Sequence, residues 1–308
     1  MRWLFPWLLC LSCAGAAQED SESSPDSGLD ACPRFSGAQV VGSLTSAALT
    51  ETSGLAASRR HSDTWWAHND GGHDASLFAL DATGAVVAIF DLQGISQEDW
   101  EDLAVGPGPE PDVTYLYVGD IGDNLSAREQ LVVHRIPEPA IEGLDPSTPN
   151  PLDGTVSLSL VYPEGQAFDA ETLLVDTDGN LYVVTKSLDG QSHVFVASAP
   201  HETGQPNELT LVTTLVFGSE TLPGTPYVTA GDLSADGKWW VLRTYTEAWL
   251  WPRRGAASVQ DWLTGEPCPI ALELEGQGEA IGISPDGSAL YTVSEGDTPP
   301  LYRYSRVN

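Results

Sequence analysis

One module recurs five times along this chain, and that repetition limits the possible folds more than any single residue does. In the clearest copies an apolar strand ends in a Ser/Asp-x-Asp-Gly turn, and a second strand rises through an aromatic or apolar pair to a polar residue. These copies read ETLLVDTDGNLYVVTK (171–186), GDLSADGKWWVLRT (231–244) and EAIGISPDGSALYTVSE (279–295). Two looser copies precede them, SGLAASRRHSDTWWAHND (53–70) and EDLAVGPGPEPDVTYLYVGD (101–120). Self-similarity at such spacing marks a repeat architecture whose units bury their apolar faces against one another.

Each copy is a β-hairpin by its own chemistry. Asp-Gly tolerates the backbone conformation of a tight turn. The flanks are rich in Leu, Val, Ile, Tyr, Trp and Thr, which suit a pleated, half-buried surface. Two further strand-like runs follow each hairpin, except the last, which is followed by one, PLYRYSRV (300–307). QVVGSLTS (39–46), just before the first module, can supply the missing strand. An all-β fold is therefore predicted: a β-propeller of five four-stranded blades, closed by pairing the two ends of the chain. A six-bladed ring with a degenerate blade hidden in 121–170 is the alternative. The tryptophans in the strands, Trp65, Trp66, Trp239, Trp240, Trp249 and Trp251, are expected to pack between blades.

The amino terminus reads as a targeting signal. Arg2 precedes the short apolar run WLFPWLLCLSCAGAA. Cleavage after AGA (14–16) and lipidation at Cys13 both fit, so the protein is expected in the cell envelope as a lipoprotein, or secreted or periplasmic. The expected organisation is a signal over 1–16, an acidic disordered tether over 17–36 and one propeller domain over 37–308. Nothing in the body approaches the roughly 18 consecutive apolar residues of a membrane span, so any membrane contact would run through an N-terminal lipid. In an exported chain Cys32 and Cys268 can form a disulfide. Cys268 opens the last strand of blade four, and Cys32 precedes the strand assigned to the rim of blade five, so a Cys32–Cys268 bridge would staple the closure.

There are 44 acidic residues against 13 basic ones, a formal charge of −31. That charge repels nucleic acid and anionic membranes and favours cations. The expected partner is a small molecule or envelope ligand, and the expected state a monomer. In a propeller the start of each inner strand and the end of the next strand meet on one face near the axis. Aligning the modules brings Ser53, Glu101, Glu171, Gly231 and Glu279 to the inner-strand starts. Asp70, Asp120, Lys186, Arg243 and Glu295 fall at the second-strand ends. The loops DGGHD (70–74) and DIGDN (120–124) add His73 and Asp123. Close carboxylates cannot all stay ionised without a counter-charge. Glu101, Glu171, Glu279 and His73 are thus the catalytic candidates, and Asp70, Asp120, Asp123, Glu171 and Glu295 the candidate ligands of Ca²⁺ or Mg²⁺, which take hard oxygens. Lys186, Arg243 and Trp100 are candidate ligand contacts. No pattern for an organic cofactor is evident.

SGLAAS, HNDGG, DWEDLAVG, YVGDIGDN, FDAETLLVD, LRTY and QGEAIGISPDG together resemble a family of exported bacterial β-propellers. More distantly the chain is similar to the propeller groups named for the esterase-like activity of phytase and for regulation by SdiA. The resemblance covers roughly 50–305 and implies the propeller fold, but it brings no assigned activity. Three functions fit the residues: a metal-dependent hydrolase of an ester, phosphoester or lactone; a non-catalytic ligand- or partner-binding propeller; and a glycosidase with paired carboxylates.

Overall fold

The computed structural model describes residues 32–217 and 226–307. The expected signal over 1–16, with Cys13, and most of the expected tether lie outside the described residues. Five antiparallel sheets follow one another along the chain. Their innermost strands are Thr52–Ala57, Trp100–Pro107, Ala170–Val175, Val228–Leu233 and Gly278–Ile283. Each of these touches the next, and the fifth touches the first, so the ring closes at five blades.

Closure uses the predicted strand. Gln39–Ser43 pairs antiparallel with Pro300–Val307. Arg34–Phe35, within the segment expected as a tether over 17–36, pairs with the far end of the same strand. The Cys32–Cys268 disulfide is formed, with Cα atoms 5.4 Å apart. A disulfide is consistent with export to an oxidising compartment. Among the described residues no helix is long and apolar enough to cross a membrane.

No sixth blade lies in 121–170. Leu131–Pro137 and Val156–Val161 are the outer strands of blade two. Between them Asn150–Leu152 turns back and runs parallel to Val86–Leu92, the outer strand of blade one. Asn207–Glu208 does the same for blade two. Such short parallel segments cover strand edges that would otherwise template foreign pairing.

The core lies between blades. Trp66, Leu77 and Ala79 of blade one pack with Trp100, Leu103, Leu116 and Val118 of blade two. Tyr182 of blade three meets Trp240 of blade four, and Trp65 of blade one meets Tyr291 of blade five. The tryptophans of the repeat are thus packing groups.

One irregularity repeats in every blade and positions the site. Each inner strand carries a β-bulge at the same place, between Thr52 and Gly54, Trp100 and Asp102, Ala170 and Thr172, Val228 and Ala230, and Gly278 and Ala280. A bulge inserts one unpaired residue and re-aims its side chain. The five inserted residues are Ser53, Glu101, Glu171, Thr229 and Glu279.

Candidate functional site

The bulges deliver three glutamates to one mouth of the central channel. In the other two blades the inserted residue holds the ring together instead: the Ser53 hydroxyl donates to the Glu101 carbonyl at 2.6 Å, and Thr229 to the Gly278 carbonyl at 2.9 Å. Above the bulges lies a second tier, the residues that follow the second strands. The amides of Asp70, Ile121, Lys186 and Glu295 donate to the carbonyls of Glu51, Asp99, Asp169 and Gln277 in turn. That repeated bond locks each loop entry over its own bulge.

Oxygen atoms of Asp70, Glu279 and Glu295 lie within 4.8 Å of one another, and so do those of Asp70, Asp99 and Glu101. Asp70 belongs to both trios. Glycine makes the second trio possible. A Cβ on Gly122 would stand 2.3 Å from Glu101 Oε1, and one on Gly71 2.5 Å from Asp99 Oδ1.

Lys186 enters this group from blade three, and Arg128 acts on Asp99 from its edge. Lys186 Nζ pairs with Glu171 Oε1 and sits 5.6 Å from the Tyr245 ring centre, and the Tyr245 hydroxyl donates to Glu279 Oε1 at 2.9 Å. The remaining carboxylates are under-compensated. Burial first, then Glu279, Asp99 and Glu51, push the Asp70 carboxyl up to about 6. Burial and then Glu279 push Glu295 up to about 8. Burial, Glu171, Asp70 and Asp99 hold Glu101 well above the usual carboxylate range. Burial also raises Glu171, against the pull of Lys186. For Lys186, burial alone would lower the ammonium; Glu171 outweighs it, and the group stays charged.

Beneath this mouth, side chains tie neighbouring inner strands together. Asp102 accepts from Leu173 N at 3.0 Å and from Leu103 N at 2.8 Å, and Asp232 from Ile283 N and Leu233 N, both at 2.7 Å. At the far end Arg59 reaches across to the carbonyls of Leu233 and Ala235.

Several candidates from the sequence sit elsewhere. Trp100 is fully buried between His68 and His134, ring centres 5.5 and 5.8 Å away, so it faces the blade interface and meets no ligand at the mouth. Arg243 is fully buried too. Its Nη2 lies 2.7 Å from Glu275 Oε2 and its Nη1 donates to the Ala280 carbonyl, which makes it an inter-blade tie. Asp120 pairs with Arg128 at 2.9 Å and accepts the amides of Glu98 and Asp99, so its oxygens are spent on the loop. Asp123 likewise accepts the amides of Ala127 and Arg128. His73 is at the rim, its Nδ1 3.2 Å from the Asp70 carbonyl and 3.4 Å from Glu51 Oε2.

Blade four explains two of these shifts. Gly231 and Arg243 were aligned with the glutamate and lysine positions, but the bulge residue is Thr229 and the residue following the strand is Tyr245. Tyr245 and Asp99 are the site residues that the sequence alignment misses. A local signal does find the bulges: Glu171, Thr229 and Glu279 each stand eight residues before the turn glycines Gly179, Gly237 and Gly287.

The division between loop aspartates and mouth carboxylates is testable. Asp123→Ala removes two amide bonds and is expected to cost about 1–2 kcal/mol in a denaturant melt. Any cation affinity at the mouth should be unchanged.

No family model matches the sequence, and a search of curated proteins finds no match. Among solved structures, 907 chains match. One is the PQQ-bound form of aldose sugar dehydrogenase from Streptomyces coelicolor, at 14% identity and a TM-score of 0.47, covering 89% of this chain and 99% of that one.

Proposed function

We propose that this is an exported propeller that binds a divalent cation at the axial mouth and uses it to hydrolyse a small ester, phosphoester or lactone. The supporting observation is the pair of carboxylate trios that share Asp70, each within 4.8 Å. Six to eight oxygen ligands suit Ca²⁺, and a smaller set completed by water suits Mg²⁺. Asp70, Asp99, Glu101, Glu279 and Glu295 would hold the ion. When bound, it would polarise the scissile carbonyl or phosphoryl and lower the pKa of water.

The chain's own groups divide the remaining work. Lys186, kept charged by Glu171, offers a positive side chain at the mouth for an anionic substrate. Tyr245 orients Glu279. Small-molecule sites span about 300–1,000 Å³, and a cavity of about 580 Å³, lined by Phe168, Thr185, Lys186, Leu188 and His193, opens beside the mouth. It gives the organic part of a substrate somewhere to lie. The reading as a ligand-binding propeller without turnover is favoured by one observation: His73, the mouth histidine, is already engaged by the Asp70 carbonyl and Glu51.

The test strips the protein with a chelator and assays p-nitrophenyl acetate, p-nitrophenyl phosphate and dihydrocoumarin with and without Ca²⁺ or Mg²⁺. Turnover of at least one substrate should return with the cation and fall at least about 100-fold in Asp70→Asn. Cation binding without turnover of any ester, phosphoester or lactone would replace the hydrolase with the binding protein. Absence of cation binding would reject the metal-dependent hydrolase.

A further inference from the structure

A second pocket lies at the other end of the blades, and its chemistry is opposite in sign. It opens between blades two and three, where inner strand Trp100–Pro107 ends and the turn at Gly179 begins. Its volume is about 430 Å³, and its walls include Pro107, Pro109, Tyr117, Arg135, Pro200 and His201.

Arg135 is the unusual member. It lies on Leu131–Pro137, opposite Tyr117, and is only 8% exposed. Its guanidinium stands 5.9 Å from the centre of the Tyr115 ring and in hydrogen-bonding reach of the Tyr117 hydroxyl, which itself donates to the Pro107 carbonyl. Among the described residues the ion pairs are made by Arg128, Lys186, Lys238, Arg243 and two histidines, and none by Arg135. In a chain with 44 acidic and 13 basic residues, shortage of partners does not explain that. A buried charge without a counter-charge is costly, and a guanidinium is matched best by a planar, bidentate oxyanion.

The walls narrow the choice of anion. Three proline rings, a tyrosine face and the half-buried imidazole of His201 make flat apolar plates rather than a shell of donors. His201 meets the Ala197 carbonyl through Nε2 at 3.1 Å, and burial together with the neighbouring Arg135 lowers its pKa, so it presents a neutral ring and not a second cation. Asp178 stands exposed at the rim, and with the net charge it disfavours multiply charged ligands. We infer that this pocket binds a small monoanionic carboxylate carried on a flat apolar body, with Arg135 gripping the carboxylate and the proline and tyrosine faces enclosing the body.

Benzoate is the probe, titrated at pH 7 and followed by NMR, with inorganic phosphate as comparator. Nine heavy atoms support a Kd of about 1 mM. Binding should weaken at least about tenfold in Arg135→Gln. Because that variant can disturb packing, His201→Glu provides a second readout. It places an internal carboxylate beside the guanidinium, and it should abolish benzoate binding while raising Tm. Phosphate should bind more weakly than benzoate. No saturation by benzoate at 10 mM (about ten times that Kd), binding that survives both substitutions, or tighter binding of phosphate would each overturn the inference.

Discussion

Reducing the Cys32–Cys268 bridge is expected to lower Tm by roughly 10–20 °C. The bridge joins residues 236 apart in sequence. Loop-closure entropy for such a span is worth about 5 kcal/mol, and about 2–4 °C accompany each kcal/mol in a domain of this size. The location makes the full effect plausible on structural grounds. Cys268 is buried at the start of the outer strand of blade four, and Cys32 directly precedes Arg34–Phe35, which pairs with blade five. Cutting the bridge frees the segment that completes the ring, so the last blade can open from its outer edge. A thermal melt of Cys32→Ser/Cys268→Ser against the oxidised protein measures it. A shift under about 3 °C would mean that strand pairing alone holds the closure.

The second large effect is on pH dependence. In chelated protein, stability should fall as pH rises from about 4 to about 9. Asp70, Asp232 and Glu295 have carboxyls raised to about 6, 7 and 8 in the folded state. Unfolded carboxyls titrate near 4, so between those limits the folded state binds more protons. The stabilisation from these groups is therefore complete below about pH 4 and is lost as pH climbs through the folded values. Asp232, partly buried on its inner strand, accounts for on the order of 4 kcal/mol. Burial raises it despite the amides of Leu233 and Ile283 that favour its charged form. The melting temperature should accordingly drop on the order of 10 °C between pH 5 and pH 9. Adding Ca²⁺ at pH 9 should recover the part that comes from the mouth, whereas Asp232→Asn should remove the part that does not. A chelated protein that gains stability toward pH 9 would show that the mouth carboxylates are compensated by groups other than a cation.

Much of this architecture was legible because it is local. Asp-Gly turns between paired apolar runs specify each hairpin, and Gln39–Ser43 is the one unpaired strand available to complete blade five. Glu101, Glu171 and Glu279 were legible because they share a column with the same offset from an apolar residue. What stayed hidden depends on the bulge. In blade four Gly231 stands two residues after the bulge, where the other blades carry Leu55, Leu103, Leu173 and Ile281, so an alignment on the apolar column slides two residues to Leu233. That is why Gly231 and Arg243 were read for Thr229 and Tyr245. Asp99 was hidden by its neighbour. The aromatic at Trp100 drew attention as a ligand contact, while alternation sends that ring into the interface and the aspartate toward the axis. Asp120 and Asp123 have the right chemistry for a metal, and only the backbone amides around them show that their oxygens are already taken. Arg135 carries no sequence signal at all, since its significance lies in the absence of an acid that chain order does not reveal.

Calorimetric titration of Ca²⁺ into chelated protein at pH 8 tests the cation site most directly. Saturable binding is expected, retained in Asp123→Asn and lost in Asp70→Asn, because Asp70 alone is common to both trios. Flat titrations up to millimolar Ca²⁺, the weak end of protein calcium sites at about 1 mM, or an isotherm that Asp70→Asn leaves unchanged, would contradict it.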